Sequence, residues 1–191
     1  MAGTLLRTCH GIAVMCLVLL VGFGSATAHS RSTDDFKTAA IKVAFVYNFA
    51  KFTTWPPDRF RSPSEPMRFC VQRGDLDPEA LRALEQKQVG DRLVRIETVD
   101  PGAAIGTCHI LFASAFQSEP SLRALLVAAT LNGVLVVSDM PGFAVLGGHI
   151  GLVEDSNRLR FQVNLEAALK TGLKLSSKFL QLAEIVGPVT Q

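Results

Sequence analysis

The chain has 191 residues, with 19 Lys or Arg against 17 Asp or Glu and a formal charge of +2. That balance, with no basic stripe to follow a phosphate backbone, excludes a nucleic-acid partner. The length allows one domain with a sound hydrophobic core that needs no metal to hold it.

The first segment reads as a leader rather than as fold. Arg7 precedes an uncharged apolar run from Gly11 to Phe23, which closes on Ala26-Thr27-Ala28. This is the order of a secretory signal peptide, and the run is too short for a comfortable membrane span. The expected organisation is residues 1–28 as a cleaved signal peptide, 29–34 as a disordered start and 35–187 as the folded domain. Cleavage removes Cys9 and Cys16 and leaves Cys70 and Cys108, and an even pair in an exported chain reads as one disulfide. Closing that loop stabilises the fold by about 4 kcal/mol on chain entropy alone. The alternative is two unpaired buried thiols. A zinc site is weaker, because neither Cys has a second Cys or a His at ligand spacing.

Ser32-Thr33-Asp34-Asp35 offers capping oxygens, and the chain then runs without Gly or Pro to Trp55, which predicts a helix of about five turns. Phe36, Ala40, Val43, Tyr47 and Ala50 form one stripe; Ile41, Phe45, Phe49 and Phe52 form another on nearly the opposite face. Two stripes predict a helix covered on both sides, by the sheet and by a second layer or a second subunit. Phe45, Tyr47, Phe49 and Phe52 are therefore the candidate dimer-forming residues. Trp55-Pro56-Pro57 stops the helix.

Strand and helix then alternate. Met67–Gln72 and Arg92–Val99 read as strands, separated by a helix with Asp77 as N-cap and Pro78 in its first turn. CHILFAS is a strand, Ser121 to Leu131 a helix, and Val134–Ser138 a continuous apolar run, hence a strand covered on both faces. Strands joined by helices argue for a parallel core with right-handed crossovers. His149–Glu154 and Arg158–Asn164 flank Asp155-Ser156-Asn157 and form a hairpin. Asn164 caps the helix LEAALKT, and Ser176 caps a last helix through Val186. The fold class is α/β: a single domain with a mixed, mostly parallel central sheet flanked by helices, a C-terminal β-hairpin and two terminal helices.

Motifs for chemistry are sparse. The sequence holds no G-x-S-x-G elbow, no Walker-type loop and no H-E-x-x-H. His109 sits in a strand, where a structural histidine outweighs a catalyst. Gly147-Gly148-His149 reads as a bulge at the hairpin entry or as a ligand contact. Asp75 and Asp77 could pair, although Asp77 is better explained as a cap. Asp139 ends a parallel strand, where such sheets place functional groups, and Ser114, Ser138 and Asp139 form a candidate ligand crevice. No catalytic residue, cofactor or metal is indicated.

Several segments together resemble the YfiR-like family of periplasmic proteins: KVAFVYNFAKFTTWP, RFCV followed by GDLD, CHILFAS, VLVVSDMPGFAVLGGHIGLV and RLRFQVNLEAALKTGLKLSSKFLQLAEIV. The resemblance spans Asp35 to Val186. It implies a non-enzymatic periplasmic inhibitor, a homodimer, that binds the periplasmic sensor region of an inner-membrane diguanylate cyclase and keeps cyclic di-GMP and biofilm formation low. An OmpA-like outer-membrane lipoprotein would sequester the inhibitor. Cys70 and Cys108 match the family's core bridge. A second family bridge falls at Ala144 and Gly151, neither of which is Cys here. The family's partner contacts carry over to Ile150, Gln162 and Leu169. The other reading is a periplasmic small-molecule binding protein.

Overall fold

The computed structural model describes residues 33–156 and 158–187. The expected leader and residues 29–32 lie outside the described residues, as does Asn157 of the hairpin turn. The folded part begins with helix α1 (Thr33–Lys51), a short strand β1 (Thr53–Thr54) and a 3-10 turn at Pro57–Arg59. Then come β2 (Met67–Gln72), α2 (Pro78–Arg82), β3 (Gln88–Val89), β4 (Arg92–Val99), β5 (Ile110–Phe112), α3 (Glu119–Asn132) and β6 (Leu135–Ser138). The chain closes with the hairpin β7 (Ile150–Asp155) and β8 (Arg158–Asn164), α4 (Leu165–Lys170), β9 (Lys174–Leu175), α5 (Ser177–Leu180) and β10 (Glu184–Val186). Among the described residues no helix is long and apolar enough to cross a membrane.

Eight strands form one sheet in the order β10-β8-β7-β6-β5-β2-β4-β3, and β1 pairs separately with β9. The run β7, β6, β5, β2 and β4 is parallel, and β7/β8 and β4/β3 are antiparallel. This is the expected α/β class. Alternation along the inner strands sends Phe69, Val71, Ile110, Phe112, Leu135 and Val137 to a core beneath α1, α2 and α5. Cys70, Leu111, Ala113 and Val136 go to a second core beneath α3. Period-two side chains on a sheet buried on both faces dictate this three-layer arrangement.

Local signals place the caps. The Asp77 carboxylate accepts from the Glu79 and Ala80 amides, and Ser118 and Ser121 make a reciprocal capping box at α3. Asn164 spans two elements, accepting from Ala167 N while its Nδ2 donates to Ala144 O. Cys70 and Cys108 form the disulfide, with Cα atoms 5.7 Å apart, on the α3 side of the sheet.

Two expectations need correction. Glu184–Val186 is not the end of a helix: α5 is a single turn, and the chain leaves it to add β10 parallel to β8, Glu184 pairing with Gln162. The apolar residues there satisfy a sheet edge, which the capping signal at Ser176 does not reveal. Helix α1 is covered by the described residues of its own chain on one side. Val43, Val46, Phe49 and Ala50 are buried, while Ala44, Asn48 and Lys51 face solvent beside Ile41. Apart from Ile41, the described members of the two stripes flank one broad apolar face. Phe45 meets Phe49 and Phe161, Phe49 also meets Phe179, and Phe52 stacks on Phe179. Tyr47 donates its hydroxyl to Gln88 O at 2.8 Å. All four candidate dimer residues thus have contacts within their own chain. The Phe36 side chain lies outside the described residues.

Paired glycines before β7 serve packing. Gly147 takes a φ of 100°, and a Cβ on Gly148 would come within 2.2 Å of the Phe143 ring. The β7/β8 ladder runs unbroken from Ile150↔Val163 to Asp155↔Arg158, so the expected bulge is not there.

Two buried histidines do the same job at the amino-terminal edge of the sheet. His109 Nδ1 accepts from Arg68 N, and His149 Nδ1 accepts from Val136 N, each at 3.0 Å. Each ring supplies a backbone amide with a partner at a strand start, and only the neutral ring can do so. Burial lowers both to about 4. A depressed histidine takes up its proton more readily when unfolded, so stability is complete above about pH 6.5 and falls as pH drops towards 4. The loss is about 3 kcal/mol for each ring. Denaturant titrations should show the unfolding midpoint falling steeply between pH 7 and 4.5, and a His109→Gln/His149→Gln variant should show a flatter profile. A wild-type midpoint constant over that range would contradict the assignment.

Candidate functional site

Strand order fixes where chemistry can gather. From β2 the chain crosses through α2 to β4 on one side, whereas from β5 it crosses through α3 to β6 on the other. The carboxyl ends of β2 and β5 are therefore the topological switch point, where open parallel sheets form a crevice.

On the α1 side of that crevice four polar side chains converge. Asp75, three residues past β2, accepts from Ser114 N, just past β5, at 2.5 Å. Asp139, just past β6, receives Lys42 Nζ from α1 at 2.5 Å, with both side chains under a quarter exposed. Burial pushes Asp139 up, but the Lys42 ammonium, helped by the nearby Ser114 hydroxyl, outweighs it and holds the carboxyl below its usual range. Asp75 goes the other way: burial, reinforced by the charge of Asp139, outweighs its bond to Ser114 N and raises it. The Ser114 hydroxyl is shut off from solvent without a well-aligned hydrogen bond.

The structure brings together Ser114 and Asp139 of the expected crevice but turns Ser138 away. Ser138 is fully buried and accepts from Met140 N at 3.0 Å, closing its own turn. Lys42 and Asp75 were missed by sequence reasoning. In the sequence Lys42 is an ordinary polar position between apolar stripes, and Asp75 stands beside only one other carboxylate, the cap Asp77. Their common signal is placement, since Asp75 follows a parallel strand just as Asp139 does. Among the described residues no group of three or more His, Cys, Asp or Glu could hold a metal.

On the α3 side the same strand ends border a neutral cleft of 370 Å³ between the loop after β4 and α3. Gln72, the last residue of β2, donates its Nε2 to Ala115 O at 3.0 Å beside this cleft.

The residues carried over as partner contacts lie on the other half of the sheet. Ile150 is fully buried in the core between β6 and β8, so its side chain offers no surface to a partner; a branched apolar residue on a doubly covered strand is core. Gln162 is half-buried and donates to Glu184 of β10 at 3.2 Å, and Leu169 on α4 is 54% exposed. Ala144 and Gly151 face one another: a Cβ on Gly151 would lie 3.6 Å from that of Ala144, within disulfide span.

The Lys42–Asp139 pair is more shielded than a surface ion pair, worth ~1 kcal/mol at most, and less than a fully buried one, whose breakage costs ~3 kcal/mol or more. Lys42→Met should destabilise the fold by an amount between these limits, about 2 kcal/mol. Adding Asp139→Asn should recover part of the loss, because it removes the stranded carboxylate. Additive single-variant effects in denaturant melts would contradict the pairing.

The family described as YfiR/HmsC-like matches residues 39–184. No curated protein matches the chain. Among solved structures, a conserved domain protein of Vibrio cholerae O1 biovar El Tor aligns with a TM-score of 0.52 at 11% identity. The alignment covers 77% of this chain and 59% of that one, and at this identity it speaks for a shared fold. With a matched stretch that runs from α1 through β10, the chain belongs to the YfiR/HmsC-like family.

Proposed function

We propose that this chain is a periplasmic regulator that binds the periplasmic sensor region of an inner-membrane diguanylate cyclase and represses it, lowering cyclic di-GMP signalling and biofilm formation. The observation that carries this reading is family membership over residues 39–184. The Cys70–Cys108 disulfide supports it, since such bridges persist in oxidising compartments such as the periplasm. Repression requires the regulator to bind the inactive cyclase more tightly than the active one, because equal affinity for both shifts nothing. An OmpA-like lipoprotein that sequesters the regulator would relieve the cyclase by mass action.

The partner surface in this reading includes Leu169 on α4 and Gln162 on β8, while buried Ile150 acts only by holding β7 in place. Leu182 and Ile185, 74% and 50% exposed, extend the apolar surface of the C-terminal part. Exposed apolar side chains of this size are candidates for a protein interface. A homodimer remains part of the proposal, with α1 contributing only its outer, largely polar face.

A second reading, a periplasmic small-molecule binding protein, is favoured by the convergence of Asp75, Ser114 and Asp139 at the switch point.

Deleting the gene should raise cellular cyclic di-GMP, and wild-type protein supplied in trans should lower it again. Leu169→Glu, which alters an exposed side chain and should fold normally, should fail to do so. Unchanged cyclic di-GMP on deletion, with the cognate cyclase expressed, would contradict the cyclase reading.

A further inference from the structure

The 370 Å³ cleft on the α3 side of the sheet is separate from the Lys42–Asp139 cluster and from the Leu169 surface. Three properties define what it would accept. Its volume falls within the ~300–1,000 Å³ of small-molecule sites, at the switch point where open parallel sheets bind ligands.

Its walls are made of small side chains. Ala103 and Ala104 stand on the loop after β4, and Ala124 and Ala128 on α3, with Phe116 and Leu125 completing an apolar lining. An alanine wall leaves room for a flat apolar body. No ionisable side chain lines the cleft; its polar side chains are Gln72, Gln117 and Ser121. A charged ligand would lose its hydration there without gaining a countercharge.

Orientation comes from Gln72, which is 7% exposed. Its Nε2 is committed to Ala115 O at 3.0 Å, which fixes the amide and leaves Oε1 as an acceptor for a ligand N–H or O–H. Ser121 is occupied by the α3 capping box.

The loop wall is tied down by the disulfide. Ile105 lines the cleft, is 3% exposed, and accepts Cys108 N at 2.9 Å. Cys108 is bonded to Cys70 on β2. The bridge therefore holds the Pro101–Ile105 wall against the strand that carries Gln72, two residues beyond Cys70.

We infer that the cleft between Pro101–Ile105 and α3 binds a small, uncharged, largely apolar molecule with one hydrogen-bond donor directed to Gln72, and that the Cys70–Cys108 disulfide holds its wall in register. This inference stands apart from cyclase repression, because it rests only on the geometry of the cleft.

Benzamide, an uncharged ring with an amide donor, is the probe, and benzoate is its charged counterpart. In titrations of isotope-labelled full-length protein followed by amide NMR, benzamide should give saturable shifts centred on Gln72, Ala104, Ala115 and Ala124. A dissociation constant on the order of 1 mM suits so small a probe. Benzoate should bind at least about tenfold more weakly. Ala124→Phe and, from the opposite wall, Ala103→Trp fill the space and should each weaken benzamide about tenfold or more while leaving cooperative unfolding intact. Cys70→Ser/Cys108→Ser, measured below its own melting temperature, should weaken it severalfold. Absence of saturable shifts, shifts centred elsewhere, equal binding of benzoate, or insensitivity to both filling variants would overturn the site. Unchanged affinity without the disulfide would overturn the role of the bridge.

Discussion

Strand β2 is the constraint on which the rest depends. It is hydrogen-bonded on both edges, to β4 and to β5, and buried on both faces by Phe69 and Val71 on one side and Cys70 on the other. Both neighbours are parallel to it: β4 is reached from β2 through α2, and β5 is reached from β4 by the loop after β4, before the chain crosses through α3 to β6 on the opposite face. The switch point follows from this, and both features at the carboxyl edge follow from the switch point. Asp75, three residues beyond β2, turns towards α1 and bonds to Ser114 N; Gln72, at its end, points to the α3 side.

The disulfide extends the same strand's influence. Cys70 links β2 to the segment entering β5, so the loop between β4 and β5 is fixed at the end that approaches the sheet. Cys108 adjoins His109 at the amino-terminal edge of the sheet, which is held by further means as well. There His109 and His149 supply acceptors to amides at strand starts, and Trp55 donates to His109 O at 3.1 Å. The carboxyl edge thus carries the polar groups and the cleft. The other is closed by neutral rings whose protonation the fold resists.

Much of this was legible in the sequence. Met67–Gln72 and Arg92–Val99 were read at their observed bounds, because continuous apolar or alternating runs between turn residues leave little freedom. Asp77 and Asn164 announce their helices through capping chemistry, whereas the cap at Ser118 starts its helix two residues before the expected Ser121. What escaped was set by tertiary pairing. The segment Glu184–Val186 becomes a strand only because β8 offers an open edge, and nothing local distinguishes it from a helix end. The two aromatic stripes of α1 were real, but Phe161 and Phe179 lie where they wrap around one face, which periodicity cannot show. At the candidate site, Ser114 and Asp139 could be inferred from their position at strand ends, whereas Lys42 required knowledge of which helix crosses above them.

The proposed regulation of a membrane cyclase by direct binding is tested most directly by recovery of that complex. Tagged full-length protein, expressed in its own organism and captured from detergent-solubilised membranes, should co-purify a diguanylate cyclase with a periplasmic sensor region, and Leu169→Glu should reduce the yield. Capture of no cyclase, with the cyclase present in the solubilised membranes, would contradict the claim.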